Sequence, residues 1–374
     1  MKVLHINGNY LTTALHQTMI EHLDKTGIDS TIIAPTYNAE SAVIKLNENV
    51  IAAQCFRKND RFFFGYKQKK IIHYITQNVS VQDYQLIHAY TLFTDGNVAY
   101  ELSKQYQIPY VVAVRNTDLN HFFKIRLNLR KRGIEILENA AAVFFLSEAY
   151  KEKLFSQYIP LDKQEGILQK SYVIPNGIDD FWFHNQYKGR NLNQAVERID
   201  EKKLNVVCVA QITPNKNIPL LQKALGLLQE EGWNTCLTVV GKVLDEKELD
   251  IIRQDKNTEY HAPVPKEKLI DYYRAADVFA MVSHHETFGL VYAEAMSQGL
   301  PVLYTKGQGF DGQFPEGTVG YHGNPVSAED IADRIRQVCE NYATLAGNCM
   351  ELTEKFGWDG ICAEYKKIYG EVTK

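Results

Sequence analysis

The chain has no CxxC pair, and its six cysteines (Cys55, Cys208, Cys236, Cys339, Cys349 and Cys362) are scattered, mostly in apolar runs. That spacing excludes a zinc ribbon or a disulfide framework and points to reduced thiols in the core. No Asp-x-Asp motif occurs, and no His, Cys and carboxylate group has the spacing of metal ligands, so no metal is expected. No apolar run approaches the roughly 18 residues of a spanning helix. MKVLHING at the start is broken too early, by Gly8-Asn9, to be an export signal. A cytoplasmic protein is expected. A large excess of one charge is missing too: the formal net charge is -4, which argues against wholesale nucleic-acid binding and leaves any basic surface local.

What is present is an ordinary globular composition, 45% hydrophobic and 23% charged, over 374 residues. At roughly 150 residues per domain that length suits two domains. Continuous apolar runs alternate with amphipathic stretches in the first half: Val3–Ile6, Asp29–Ala34, Leu86–His88, Tyr110–Val114 and Val143–Leu146 as strands, with Ala14–Leu23, Val98–Lys104 and Gly133–Asn139 as helices. Unbroken apolar strands are buried on both faces, so a doubly wound parallel α/β domain is expected. A polar segment, 185–203, follows VIPNGIDDFWF, and the rhythm restarts with Asn205–Ala210, Cys236–Val240, Val278–Val282 and Pro301–Tyr304. Domains of 1–180 and 181–357 are expected, with the aromatic helix that ends the chain, 358–374, packing back on the first. Two such sheets joined by a linker would bind ligands in the cleft where the carboxyl ends of their strands face each other.

HHETFGLVYAE, residues 284–294, follows a strand and opens a helix that stops at Gly299 before Pro301. The free N–H groups of its first turn, with Gly289 allowing close approach, suit a pyrophosphate. Glu286 lies ahead of the helix and Glu294 nearly two turns inside it, so the pair could hold hydroxyl groups on either side of a diphosphate. Taken alone, a capping carboxylate and a solvated one account for the same residues.

SHHETFGLVYAEAMSQGLPVL resembles the E-x7-E signature of family 4 (GT4) of the retaining glycosyltransferases, which have the GT-B fold: two Rossmann-like domains facing a central cleft. VIPNGID, VVCVAQITPNKNIPLLQKAL and LTVVGK resemble further family segments in the family's order, and RNTDLNHFFK and HAYTLFTDG resemble motifs of its polysaccharide-pathway members. The resemblance implies that Glu286 binds sugar hydroxyls, Glu294 the ribose diol, and Lys216 the donor diphosphate. It places Thr287, Phe288, Gly289 and Leu290 at the phosphate-binding helix entrance, Gly241 beside the phosphate loop, Val264 in the loop HAPVPK that meets the base, and Gly8 near the donor sugar. Where the family has a G-R-L-like arginine this chain has Gln211, so the diphosphate leans more on Lys216, the helix end and Arg115. Where the family often has a histidine after Val111–Val114 the chain reads Arg115-Asn116-Thr117-Asp118, which makes Arg115 and Asp118 candidate catalytic groups. His88 ends a strand and reads equally well as a buried structural histidine.

The implied reaction moves a hexosyl residue from a nucleoside-diphosphate sugar, UDP-linked rather than GDP-linked, to an acceptor hydroxyl with retention, without a metal or other cofactor. The departing phosphate serves as base, so no protein nucleophile is assigned. A glycan or lipid-linked acceptor in bacterial surface polysaccharide assembly is implied. Two basic, aromatic stretches, Arg57–Lys70 and His121–Arg132, fit peripheral contact with the inner membrane face and equally fit core phenylalanines flanked by solvated cations. A nucleotide-sugar 2-epimerase or a non-catalytic nucleotide-sugar-binding module would use the same architecture.

Overall fold

Thirteen strands form two sheets in a computed structural model that describes residues 1–43 and 48–374. The first sheet contains β1 (Lys2–Ile6), β2 (Asp29–Thr36), β3 (Val50–Gln54), β4 (Leu86–Ala89), β5 (Tyr110–Val114), β6 (Ala142–Phe145) and β7 (Ser171–Val173). The second contains β8 (Lys203–Val209), β9 (Asn234–Val240), β10 (Thr258–His261), β11 (Val278–Ala280), β12 (Val302–Thr305) and β13 (Gly320–Gly323). Their orders are β3-β2-β1-β4-β5-β6-β7 and β10-β9-β8-β11-β12-β13, and every pairing is parallel.

Both orders run outward from the first strand and then jump to its other side. The reversal falls between β1 and β4 in one sheet and between β8 and β11 in the other, and such a switch point opens a crevice at the carboxyl ends of the strands. The inner strands β4, β5 and β6 are buried at every position, because helices cover both faces. The outer strands β3, β7, β10 and β13 each pair on one side only, and no sequence pattern marked them.

The chain divides into two units, Met1–Gly177 with Trp358–Lys374, and Ile178–Gly357. Within the first unit the final helix, Trp358–Val372, lies against the helix Ala14–Lys25. It buries Trp358, Ile361, Cys362, Tyr365, Ile368 and Tyr369, and His22 Nδ1 pairs with Asp359 at 2.7 Å. Gly177 is obligatory beneath this helix: a Cβ there would stand 2.4 Å from the Trp358 ring. The two basic, aromatic stretches also belong to this unit, and each divides between core and surface. Phe123 is fully buried and Phe64 meets Phe122 edge-on at 6.1 Å, whereas Phe62 and Phe63 are 63% and 67% exposed.

Candidate active site

In the second unit, the loop after β8 is stitched to the loop after β11. Pro214 starts a single turn, Pro214–Lys216, and Asn217 ends it in the left-handed conformation (φ 57°) that a short polar side chain tolerates. The Asn217 amide then donates to the carbonyls of Val282 (3.1 Å) and Pro325 (2.9 Å). Asn215 acts as a backbone surrogate: its amide donates to the His285 carbonyl, its Oδ1 accepts from His285 N–H, and its carbonyl accepts from His284 N–H. The four of these bonds that reach residues 282–285 bring together two residues seventy positions apart. Lys216 Nζ lies 2.6 Å from Glu286 Oε2, both side chains less than one-fifth exposed.

Glu286 is held in place from several sides. Its N–H donates to Gln308 Oε1, its carbonyl accepts from Gly309 N–H, and its Oε1 accepts from Thr287 N–H. Gly289 then takes φ 78°, a conformation costly for any side chain, and a Cβ would lie 2.4 Å from the Tyr292 ring. The helix Leu290–Ser297 starts directly after it. Phe288 is buried against Phe310 and Phe356, so it anchors this entrance and has only its backbone to offer a ligand.

Glu294 accepts from the Tyr273 hydroxyl at 3.2 Å. Burial pushes its carboxyl up to about 7, and the nearby Asp179 charge adds to the rise. Lys266 opposes that rise and pairs with Asp179 at 2.7 Å. Gln211 is exposed just after β8 and Val264 is half-buried before the helix Lys266–Ala275. Gly241 is a close-packing glycine: a Cβ would fall 1.7 Å from the Ala210 carbonyl oxygen, and its own carbonyl accepts from Tyr260 Oη at 3.0 Å.

In the first unit, the loops after β1, β4 and β5 converge. Asp118 is buried, with Oδ2 accepting from the N–H groups of Arg115 (2.8 Å) and Leu92 (3.0 Å) and Oδ1 from Phe93 N–H (3.2 Å). Burial nevertheless pushes it up to about 6. Asp118 thus clamps the loops after β4 and β5 together and also lines the cavity of this unit. Arg115 Nε donates to the Tyr90 carbonyl at 3.0 Å. His88 is the buried structural histidine of the two expected readings: Nδ1 meets Tyr369 Oη at 2.5 Å and its ring stacks on Tyr90.

Sequence reasoning passed over Asp95. It stands in the first turn of the helix Thr94–Tyr106, buried, with Oδ1 accepting from Gly8 N–H (3.2 Å) and Oδ2 from the Thr91 hydroxyl (3.0 Å). Burial pushes it up to about 7. Gly8, Thr91 and Asp95 line a cavity of about 380 Å³ within this unit, together with Lys67. The signal was in plain sight: an acid two residues into a helix that follows a strand, in HAYTLFTDG, quoted above only as a motif.

Two doubly wound parallel sheets, each with polar groups on the loops of its switch point, are the architecture of the GT-B fold. The chain belongs to glycosyltransferase family 4: residues 189–356 match the family model "Glycosyl transferases group 1" and residues 17–180 match "Glycosyltransferase Family 4". It is 26% identical to the D-inositol 3-phosphate glycosyltransferase of Arthrobacter sp. over 75% of this chain and 69% of that one. TuaC of Bacillus subtilis, a glycosyltransferase named for a proposed part in teichuronic acid biosynthesis, is 25% identical over 90% of this chain and 88% of its own. The match to the Arabidopsis thaliana sulfoquinovosyl transferase SQD2 spans only 36% of that enzyme. Among solved structures, sucrose-phosphate synthase from Thermosynechococcus elongatus superposes over the whole chain with a TM-score of 0.75 at 17% identity, covering 99% of that chain. Anabaena HepE in complex with UDP-glucose superposes over 99% of this chain and 100% of its own, with a TM-score of 0.63 at 17% identity. These two likenesses establish the fold.

Proposed function

We propose that this glycosyltransferase moves a hexosyl residue from a UDP-linked sugar to an acceptor hydroxyl with retention of configuration, in the assembly of a bacterial surface polysaccharide. The observation that carries the reading is the Lys216–Glu286 contact of 2.6 Å at the switch point of the second sheet. Without a donor the two charges satisfy each other. With one, the Lys216 ammonium turns to the diphosphate, and the released carboxylate accepts from hydroxyls of the sugar. Negative charge growing on the leaving group is met by Lys216 and by the backbone N–H groups around Gly289, so the reading assigns no role to a metal. Glu294 holds the ribose diol, and the departing phosphate takes the proton of the acceptor hydroxyl. Arg115 is assigned to the donor side and Asp118 to positioning it.

The UDP preference draws support from HepE, solved with UDP-glucose, and the polysaccharide setting from TuaC. A lipid-linked acceptor and a peripheral place at the cytoplasmic membrane face draw support from the exposed Phe62 and Phe63 among basic residues. Thermal shifts with UDP, GDP, ADP and their glucosides test the donor, since a ligand at a hundred times its Kd stabilises by about 2.7 kcal/mol. NMR of the transferred sugar then reads its anomeric configuration. A larger shift with GDP-sugars, or an inverted product, overturns the corresponding part of the proposal.

A further inference from the structure

We propose that the cavity of the first unit binds an oxyanion carried by the acceptor, a phosphate or carboxylate, on the ammonium of Lys67. The cavity, about 380 Å³, lies at the carboxyl ends of β1, β2 and β4 and has Asp95 and Gly8 in its wall. That volume is within the roughly 300–1,000 Å³ of small-molecule pockets.

Lys67 is anomalous in its surroundings. Burial lowers the pKa of three lysines, Lys67, Lys153 and Lys170. Lys153 Nζ donates to Asn120 Oδ1 at 2.7 Å, and Lys170 Nζ donates to the carbonyls of Glu138 and Ala140. The Lys67 ammonium alone among them has no hydrogen-bond acceptor and no ion pair among the described residues; the Phe56 ring lies 4.4 Å from Nζ. It also sits in the first turn of the helix Phe64–Asn78, where the helix dipole opposes a cation. The acid nearest in sequence cannot help, because Asp60 is taken by Lys70 (2.7 Å) and by the Arg57 N–H (2.8 Å). Asp95 contributes a field but lies beyond ion-pair distance. A partly desolvated ammonium facing a cavity with no acceptor is completed by an anion from outside. Arg61, also in the lining, makes no ion pair among the described residues and adds charge of the same sign. Asp95, with its hydroxyl-accepting oxygens in the same wall, suits the polyol portion of such an acceptor.

That the bound anion belongs to the acceptor rests on the glycosyltransferase reading; its binding does not. Two sources share the chemistry, a soluble phosphate ester and the phosphate of a membrane lipid, the latter because Phe62, Phe63 and Tyr66 beside the cavity residues are exposed. The test is calorimetric titration of the full chain saturated with UDP, so that the donor site is filled, with glycerol 3-phosphate, inorganic phosphate and glycerol. Wild type should bind both phosphates and ignore glycerol; Lys67→Met should bind them at least tenfold more weakly and Lys153→Met unchanged, all three keeping the same UDP-induced thermal shift. Equal phosphate affinity in wild type and Lys67→Met, or none in a wild type that binds UDP, overturns the inference and leaves the donor site standing. Absence of any UDP response would instead sink the donor reading. Flotation with phosphatidylcholine vesicles containing phosphatidic acid separates the sources. If the vesicles displace glycerol 3-phosphate and Phe62→Ser/Phe63→Ser weakens only their binding, the carrier is a lipid; if they leave the ester bound, it is soluble, and either result supports the site.

Discussion

Lys216 and Glu286 illustrate how a residue pair can be legible by type and still not by arrangement. Their chemistry was readable from a phosphate-suited helix entrance and a lysine after the preceding strand, but their direct contact was not, since it depends on Asn215 and Asn217 bonding to the backbone of a distant loop. Asp118 shows a related limit: a carboxylate in a polar loop looks available in the sequence, and the three N–H groups on it emerge only from the fold. Glu294 carries a prediction. If its ionised form binds the ribose diol, nucleotide affinity should rise with pH up to about 7 and level off above it, by up to about tenfold per pH unit on the rising limb. Isothermal titration between pH 5.5 and 8.5 reads this, and Glu294→Gln should flatten the profile. A second prediction concerns His5, fully buried and pushed down to about 3 by desolvation. The unfolded chain takes a proton near pH 6.5 that the native histidine refuses, so stability is lost as pH falls from about 6.5 towards about 3. Urea midpoints should show His5→Asn with an acid slope shallower by up to about 1.4 kcal/mol per pH unit; an unchanged slope contradicts the assignment.

At the scale of elements, the inner strands were readable because burial on both faces leaves an unbroken apolar run, as in β5, where Tyr110–Val114 was expected to the residue. Two edge strands were silent for the converse reason: β10, TEYH, and β13, GYHG, have no apolar run at all. Helix starts were blurred where a glycine intervenes: the pattern from Phe288 onward is helical in composition, yet Gly289 at φ 78° delays the helix to Leu290. That turn aims the N–H groups of the helix entrance, so Gly289→Ala should cost about 1–3 kcal/mol from backbone strain alone and more from the Tyr292 contact. Chemical denaturation should register the loss together with weakened UDP binding. Retention of wild-type stability would mean that the turn relaxes freely.

For the whole molecule, the repetition of one pattern in the sequence foretold two sheets, and the polar run before β8 marked where the pattern restarts. What the sequence left unmeasured is how much the first unit depends on the last helix, whose buried face includes Trp358, Tyr365 and Tyr369. A chain ending at Gly357 should therefore lose amide protection in β1 and β4 by hydrogen exchange, since Tyr369 no longer covers His88; native protection there would show that the helix is dispensable. The central claim, that Glu286 and Lys216 form a nucleotide-sugar grip, is tested most directly by nucleoside diphosphate release from UDP-sugars, measured alongside UDP affinity in wild type and Glu286→Gln. The account predicts release by wild type, a loss of about a hundredfold or more in the variant, and UDP affinity retained or strengthened because Lys216 is freed from its partner. Full release by Glu286→Gln, or loss of UDP binding with it, would contradict the account.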